Sequence, residues 1–163
     1  MDRTYHIWTI GCQMNEADSR QVAAQLEARG YAPVDRVEKA SLIVLNTCVV
    51  RQQAEDKALH RLAPLQALKR RRPETTIAVM GCLVGRREMP ALRERFPWVD
   101  VFAPPSDPAP LLHFLESKSL TQHRAVRDAL QDGEPVLPSS LHRRAVTAYV
   151  PAVLGCSQYC SFC

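Results

Sequence analysis

Six cysteines carry the chemistry that this sequence could do. Three of them, Cys156, Cys160 and Cys163, stand at C-x₃-C-x₂-C spacing, straight after the apolar run from Ala148 to Leu154. Three thiolates on one tight loop can face a single inorganic centre. A cubane iron–sulfur cluster usually takes four thiolates. Three protein sulfurs would leave one iron open for a substrate or cofactor. A zinc loop and an incomplete disulfide set are the alternatives. Zinc sites favour paired cysteine elements and a fourth ligand, so the cluster is the better fit.

The other three, Cys12, Cys48 and Cys82, each follow a short apolar run rich in β-branched residues. They are about 35 residues apart, the length of one βαβ unit. In an open parallel sheet the carboxyl ends of all strands lie along one edge, and ligands bind in the crevice there. Topology alone would then gather three distant thiols, which predicts a second three-cysteine metal site. The competing reading is packing, because lone cysteines are among the most buried residues. Recurrence at the same station in three successive units favours the metal.

The elements that must position these residues can be read from pattern. The run 5–10 is a strand, followed by a helix over 16–29 with Asn15 as its cap, Asp18 in its first turn and Gly30 just past its end. Val22, Ala23 and Leu26 give that helix one apolar face. A continuous apolar strand over 42–45 leads to a long helix over 51–71, with Ala54, Ala58, Leu62, Leu65 and Leu68 at helical spacing. Pro64 lies inside it and predicts a kink or a break into two helices. A third strand over 76–80 precedes a helix over 86–95, with Met89, Leu92 and Phe96 apolar and Pro90 early. A fourth strand over 99–102, a break at Pro104-Pro105 and a helix over 110–116 behind Asp107 complete the domain. Alternation of this kind predicts an α/β fold, an open parallel sheet flanked by helices with right-handed crossovers. The expected organisation is a first domain over 1–117, a polar linker over 118–144, and a new strand at 145–150 that opens a second unit, 145–163.

Bulk composition sets limits. A chain of 163 residues with 46% hydrophobic and 23% charged residues is ordinary for one soluble globular domain. No apolar run reaches bilayer length, so no membrane partner is expected. The first residues lack a signal-peptide pattern, so the expected location is cytoplasmic, where thiols stay reduced and serve metals more than disulfides. A net charge of +4 is compatible with RNA, and basic residues cluster at 69–72, 86–87 and 142–144, as solvated ends or as phosphate contacts. Only Gly11-Cys12-Gln13 follows the first strand, so a nucleotide-binding phosphate loop is disfavoured. The five histidines show no ligand spacing, and Trp8, Trp98 and Tyr159 read as packing residues.

The stretch from Gly11 to Ser19, then Asn46-Thr47-Cys48-Val49-Val50-Arg51, then Gly81-Cys82, then the final three cysteines, resembles the radical S-adenosylmethionine (SAM) methylthiotransferases across the whole chain. The resemblance implies two 4Fe–4S clusters and SAM as cofactors. Cys156, Cys160 and Cys163 would hold the cluster whose open iron chelates SAM; Cys12, Cys48 and Cys82 would hold an auxiliary cluster that carries the sulfur. Gln13-Met14-Asn15 resembles the branch that methylthiolates C2 of isopentenylated adenosine beside the anticodon of tRNA. A SAM-derived radical would take the C2 hydrogen, and a donor such as flavodoxin would supply electrons. Alternatives are the branches acting on threonylcarbamoyl-adenosine or on a ribosomal-protein aspartate, and a non-catalytic metal-binding module. Asn15, Asn46 and Thr47 could tune the auxiliary cluster by hydrogen bonds or serve as ordinary turn and cap residues. Family members continue beyond the third motif cysteine into a full radical SAM barrel and a small RNA-binding β-barrel. This chain is therefore expected to be the N-terminal methylthiotransferase domain plus the beginning of a truncated radical SAM domain, inactive alone. It departs from the family at Ala103-Pro104-Pro105, where a glycine turn is common.

Overall fold

The computed structural model describes residues 3–49, 52–86 and 89–120. Five strands form one parallel sheet: β1 (Thr4–Thr9), β2 (Ala32–Pro33), β3 (Leu42–Thr47), β4 (Thr76–Gly81) and β5 (Val101–Ala103). Their spatial order is β2-β1-β3-β4-β5, and every neighbouring pair is parallel. The helices are α1 (Gln13–Ala28), α2 (Gln52–Arg71), α3 (Cys82–Arg86), α4 (Met89–Arg95) and α5 (Ala109–Leu120), with a 3₁₀ turn over Val37–Lys39. In this doubly wound order the chain winds one way from β1 to β2 and the other way from β3 onward. The switch point therefore lies between the carboxyl ends of β1 and β3, where such sheets bind ligands.

The alternation of side chains builds two cores. Every residue of β3 and β4 is buried, as expected for strands covered on both faces. Ile43, Leu45, Ile77 and Val79 face Ala58, Leu62 and Leu65 of α2 and Leu92 of α4. Leu42, Val44, Ala78 and Met80 face Val22 and Leu26 of α1 and Leu111 and Leu115 of α5. Tyr5 is buried in this second core and its hydroxyl donates to Glu27 at 3.0 Å. Burial, then the Glu27 hydrogen bond and charge, hold its phenol well above the ordinary tyrosine range.

Several boundaries differ from the pattern reading. Helix α1 starts three residues early, at Gln13, so Asn15 is its third residue and Cys12 takes the cap position. Its end is as expected: Gly30 (φ +79°) sends its N–H to Glu27 and Tyr31 sends its own to Leu26, a Schellman closure. Helix α2 runs unbroken through Pro64, which is exposed, while the buried Ala58, Leu62 and Leu65 anchor it on the sheet. Within the span expected as a helix over 86–95, α4 covers Met89–Arg95, and α3, which was not expected, precedes it over Cys82–Arg86. The fourth expected strand begins later, because Asp100 uses its carboxylate to hold Ile77 N–H at 2.8 Å and Lys69 at 2.7 Å. Strand β2 was not expected; it is two residues long and ends in a proline, which an edge tolerates. Helix α5 reaches Leu120, so the boundary expected at 117 falls inside a helix. The rest of the expected linker, the strand over 145–150 and the cysteines at 156, 160 and 163 lie outside the described residues. No described helix is long and apolar enough to cross a membrane.

Candidate metal centre

Cys12, Cys48 and Cys82 sit at the carboxyl ends of β1, β3 and β4, three adjacent strands. Register makes this specific. Thr9 pairs with Asn46 and Thr47 pairs with Gly81, so each cysteine is one to three residues past a paired position on the same rim. Cys12 is exposed, Cys82 is half-buried and Cys48 is buried. All three are thiols outside any disulfide. Cys12 caps the amide end of the sixteen-residue α1, where negative charge is favoured.

The rim is tied together by two buried asparagines. Asn15 donates its side-chain amide to Asn46 Oδ1 and to the Thr47 carbonyl, both at 3.0 Å. Its own Oδ1 accepts the Cys12 backbone N–H at 3.1 Å and the Cys12 thiol at 3.4 Å. Asn46 answers by donating to the Asn15 carbonyl at 2.8 Å and to Ser19 Oγ at 3.0 Å. Ser19 Oγ in turn accepts from Thr9 at 2.8 Å. Every polar atom of both amides is satisfied, which a buried pair requires. Thr47 extends the tie to β4: its hydroxyl donates to the Met80 carbonyl at 2.7 Å and accepts the Leu83 N–H at 3.3 Å.

Two glycines let the strands close on this hub. At Gly11 (φ +153°) a Cβ would lie 2.2 Å from Asn15 Oδ1 and 2.6 Å from the Cys48 Cβ. At Gly81 (φ +96°) it would lie 2.4 Å from the Thr47 carbonyl and 2.6 Å from Asn46 Oδ1. Neither position accepts a side chain. The chain before each cysteine is therefore held against the Asn15–Asn46 pair: Gly11 before Cys12, Thr47 before Cys48, Gly81 before Cys82.

The donor set can be tested against a metal on geometry. Zinc–sulfur bonds of about 2.3 Å force thiolates to within roughly 4 Å of one another. Among the described residues, no three His, Cys, Asp or Glu side chains meet the requirement for one ion. Adjacent strands are about 4.8 Å apart, so donors carried on three of them can span more than one metal atom. A cluster with several irons takes each thiolate on a different iron. Three thiols on three strand ends are a donor set that a cluster, with one thiolate to each of three irons, could use.

Pattern reading placed Cys12, Cys48 and Cys82 together, and the fold puts them on one rim. It gave Asn15, Asn46 and Thr47 either a tuning role or ordinary cap and turn roles, and these three residues form the hub. It missed the parts played by Gly11, Gly81 and Ser19. The repeated Gly-Cys pair at 11–12 and 81–82 is the signal that could have found the glycines.

Residues 4–104 match the model of a family described as "Uncharacterized protein family UPF0004". The chain is 40% identical over 163 residues to a protein from Roseiflexus sp. (strain RS-1) named tRNA-2-methylthio-N(6)-dimethylallyladenosine synthase, covering 99% of this chain and 32% of that protein. Proteins with the same name from Chloroflexus aurantiacus (37% identical, 99% of this chain, 33% of theirs) and Caldicellulosiruptor saccharolyticus (36%, 99% and 35%) match as well. The chain thus spans about a third of the length of the curated relatives it matches.

Proposed function

Because the chain belongs to the family described as UPF0004, we propose that it serves a radical SAM tRNA methylthiotransferase as the domain that holds the sulfur-bearing cluster. The reaction is methylthiolation at C2 of isopentenylated adenosine next to the anticodon, in keeping with the relatives' names. The observation that carries the reading is the convergence of three cysteine-bearing strand ends on one buried asparagine pair. Cys12, Cys48 and Cys82 would hold one 4Fe–4S cluster, and Cys156, Cys160 and Cys163 would hold a second, where SAM would bind. When bound, these groups would supply radical chemistry at C2 and the methylthio sulfur installed there. An aromatic C–H has no acidic proton and no leaving group, so acid–base side chains alone have little purchase on it.

The chain's own residues do the positioning. Asn15 fixes the Cys12 backbone through its N–H. Gly11 allows the Cys12 loop to lie against Cys48. Cys12 and the neighbouring Met14, which is 50% exposed, form the open side of the rim where a base can approach. The partners are a tRNA and an electron donor such as flavodoxin, and the reduced cytoplasm suits the thiols.

Anaerobic reconstitution with iron and sulfide tests this. With Cys156, Cys160 and Cys163 replaced by alanine, the chain should still take up about four irons and four sulfides. A further Cys48→Ala change should abolish that uptake. One tightly held zinc per chain, with no labile sulfide, would overturn the reading.

A further inference from the structure

A cleft of about 430 Å³ opens beside the cysteine rim, between the end of β1 and the first half of α2. Ile10 of the β1 end and Asp56, Lys57, His60 and Arg61 of α2 line it. Ile10 stands two residues before Cys12, and its N–H continues the ladder to the Asn46 carbonyl at 2.9 Å. The cleft is therefore on the α2 side of the β1–β3 switch point. We propose that it is an RNA-docking site that takes backbone phosphates of the tRNA strand beside the modified base.

Three features support this. First, Lys57, His60 and Arg61 are exposed and follow one another at helical spacing, with the exposed Gln53 before them and Pro64 and Arg71 after. Asp56, which also lines the cleft four residues before His60, accepts from Gln52 at 3.0 Å, so two cations face one carboxylate there. Second, the Arg61 guanidinium lies 4.9 Å over the Trp8 ring centroid. Stacking limits its freedom while leaving its planar N–H fork for a phosphate oxygen. Third, the position suits the task. A base delivered to Cys12 must carry its own phosphates past the neighbouring wall, where Lys57 and Arg61 outweigh the single carboxylate of Asp56.

The inference rests on the proposed tRNA reading and adds a surface to it. Its test is fluorescence anisotropy of the full chain with a labelled RNA hairpin of anticodon stem–loop shape, titrated with salt. Removing two phosphate contacts should flatten the slope of log K against log salt by roughly 1.4 to 1.8. Lys57→Gln with Arg61→Gln is expected to do so and to weaken binding roughly 10-fold at moderate salt. Arg36→Gln, on the exposed loop after β2, should change neither. Circular dichroism should show both variants folded, since all three residues are exposed. A double variant that matches the parent in affinity and slope overturns the cleft alone. A parent chain that binds no hairpin overturns the RNA reading of this domain together with the cleft.

Discussion

Replacing Asn46 by alanine is the sharpest probe of the hub. The side chain is completely buried and makes three hydrogen bonds: one accepted from Asn15 and two donated, to the Asn15 carbonyl and to Ser19. Two of the three partners are not left wholly alone. Asn15 Nδ2 keeps the Thr47 carbonyl and Ser19 Oγ keeps Thr9. The loss is then about 1 kcal/mol for each bond, with a small cavity besides, or about 3 kcal/mol in all. Against a typical total of roughly 5–15 kcal/mol, that is a large fraction. It corresponds to a fall in Tm of roughly 6–12 °C for a chain of this size. Urea unfolding of the metal-free chain, followed by circular dichroism, reads the difference directly. Asn46→Asp adds a signature that mere packing would not give. Its second oxygen would face the Asn15 carbonyl, so the ionised form should cost more than alanine. The protonated form can donate, so the deficit should shrink as pH falls. A change below about 1 kcal/mol for Asn46→Ala, or a pH-independent deficit for Asn46→Asp, would refute the hub.

Two other outcomes are expected. Gly81→Ala forces a Cβ to 2.4 Å from the Thr47 carbonyl at φ +96°, so backbone must move where Cys48 and Cys82 leave their strands. Cluster uptake measured as iron and sulfide per chain should fall to background, even in any fraction that remains folded, while Gly30→Ala, whose Cβ meets nothing nearer than 4.0 Å, should retain uptake despite its φ of +79°. Tyr5 has its folded pKa raised, by burial first and then by Glu27. Its contribution is therefore fully present below the unfolded value near 10 and is lost as pH rises beyond it. Urea midpoints should decline above about pH 10 with a slope of up to one proton, and Tyr5→Phe should flatten that decline.

The sheet was legible because its strands are long apolar runs and its helices carry plain stripes. Residues 42–45 and 76–80 are buried on both faces, and burial on both faces is what continuous hydrophobicity encodes. Strand β2 was not legible, since two residues carry no period and Ala32 and Pro33 have no strand propensity to notice. The start of α1 was misplaced because Asn15 is a good cap residue in isolation. In the fold its side chain reaches back to Cys12 N–H and across to β3, a tertiary role that local sequence cannot display.

The same distinction separates what was legible in the site from what was not. The cysteines announce themselves by type and by recurrence one crossover apart. The groups that hold them in place are ordinary residues, asparagine, serine, threonine and glycine, whose meaning depends on strand register. Thr9 opposite Asn46 and Thr47 opposite Gly81 bring Ser19, Asn15 and Gly81 to one point, and a one-residue slip would scatter them. Register in turn is fixed by the two buried faces of β3 and β4. The hydrophobic pattern that builds the core thus also sets the spacing of the thiols. On this view, a substitution that shifts β3 against β4 should impair the cysteine rim before it unfolds the domain, because the rim depends on alignment while the core depends mainly on burial.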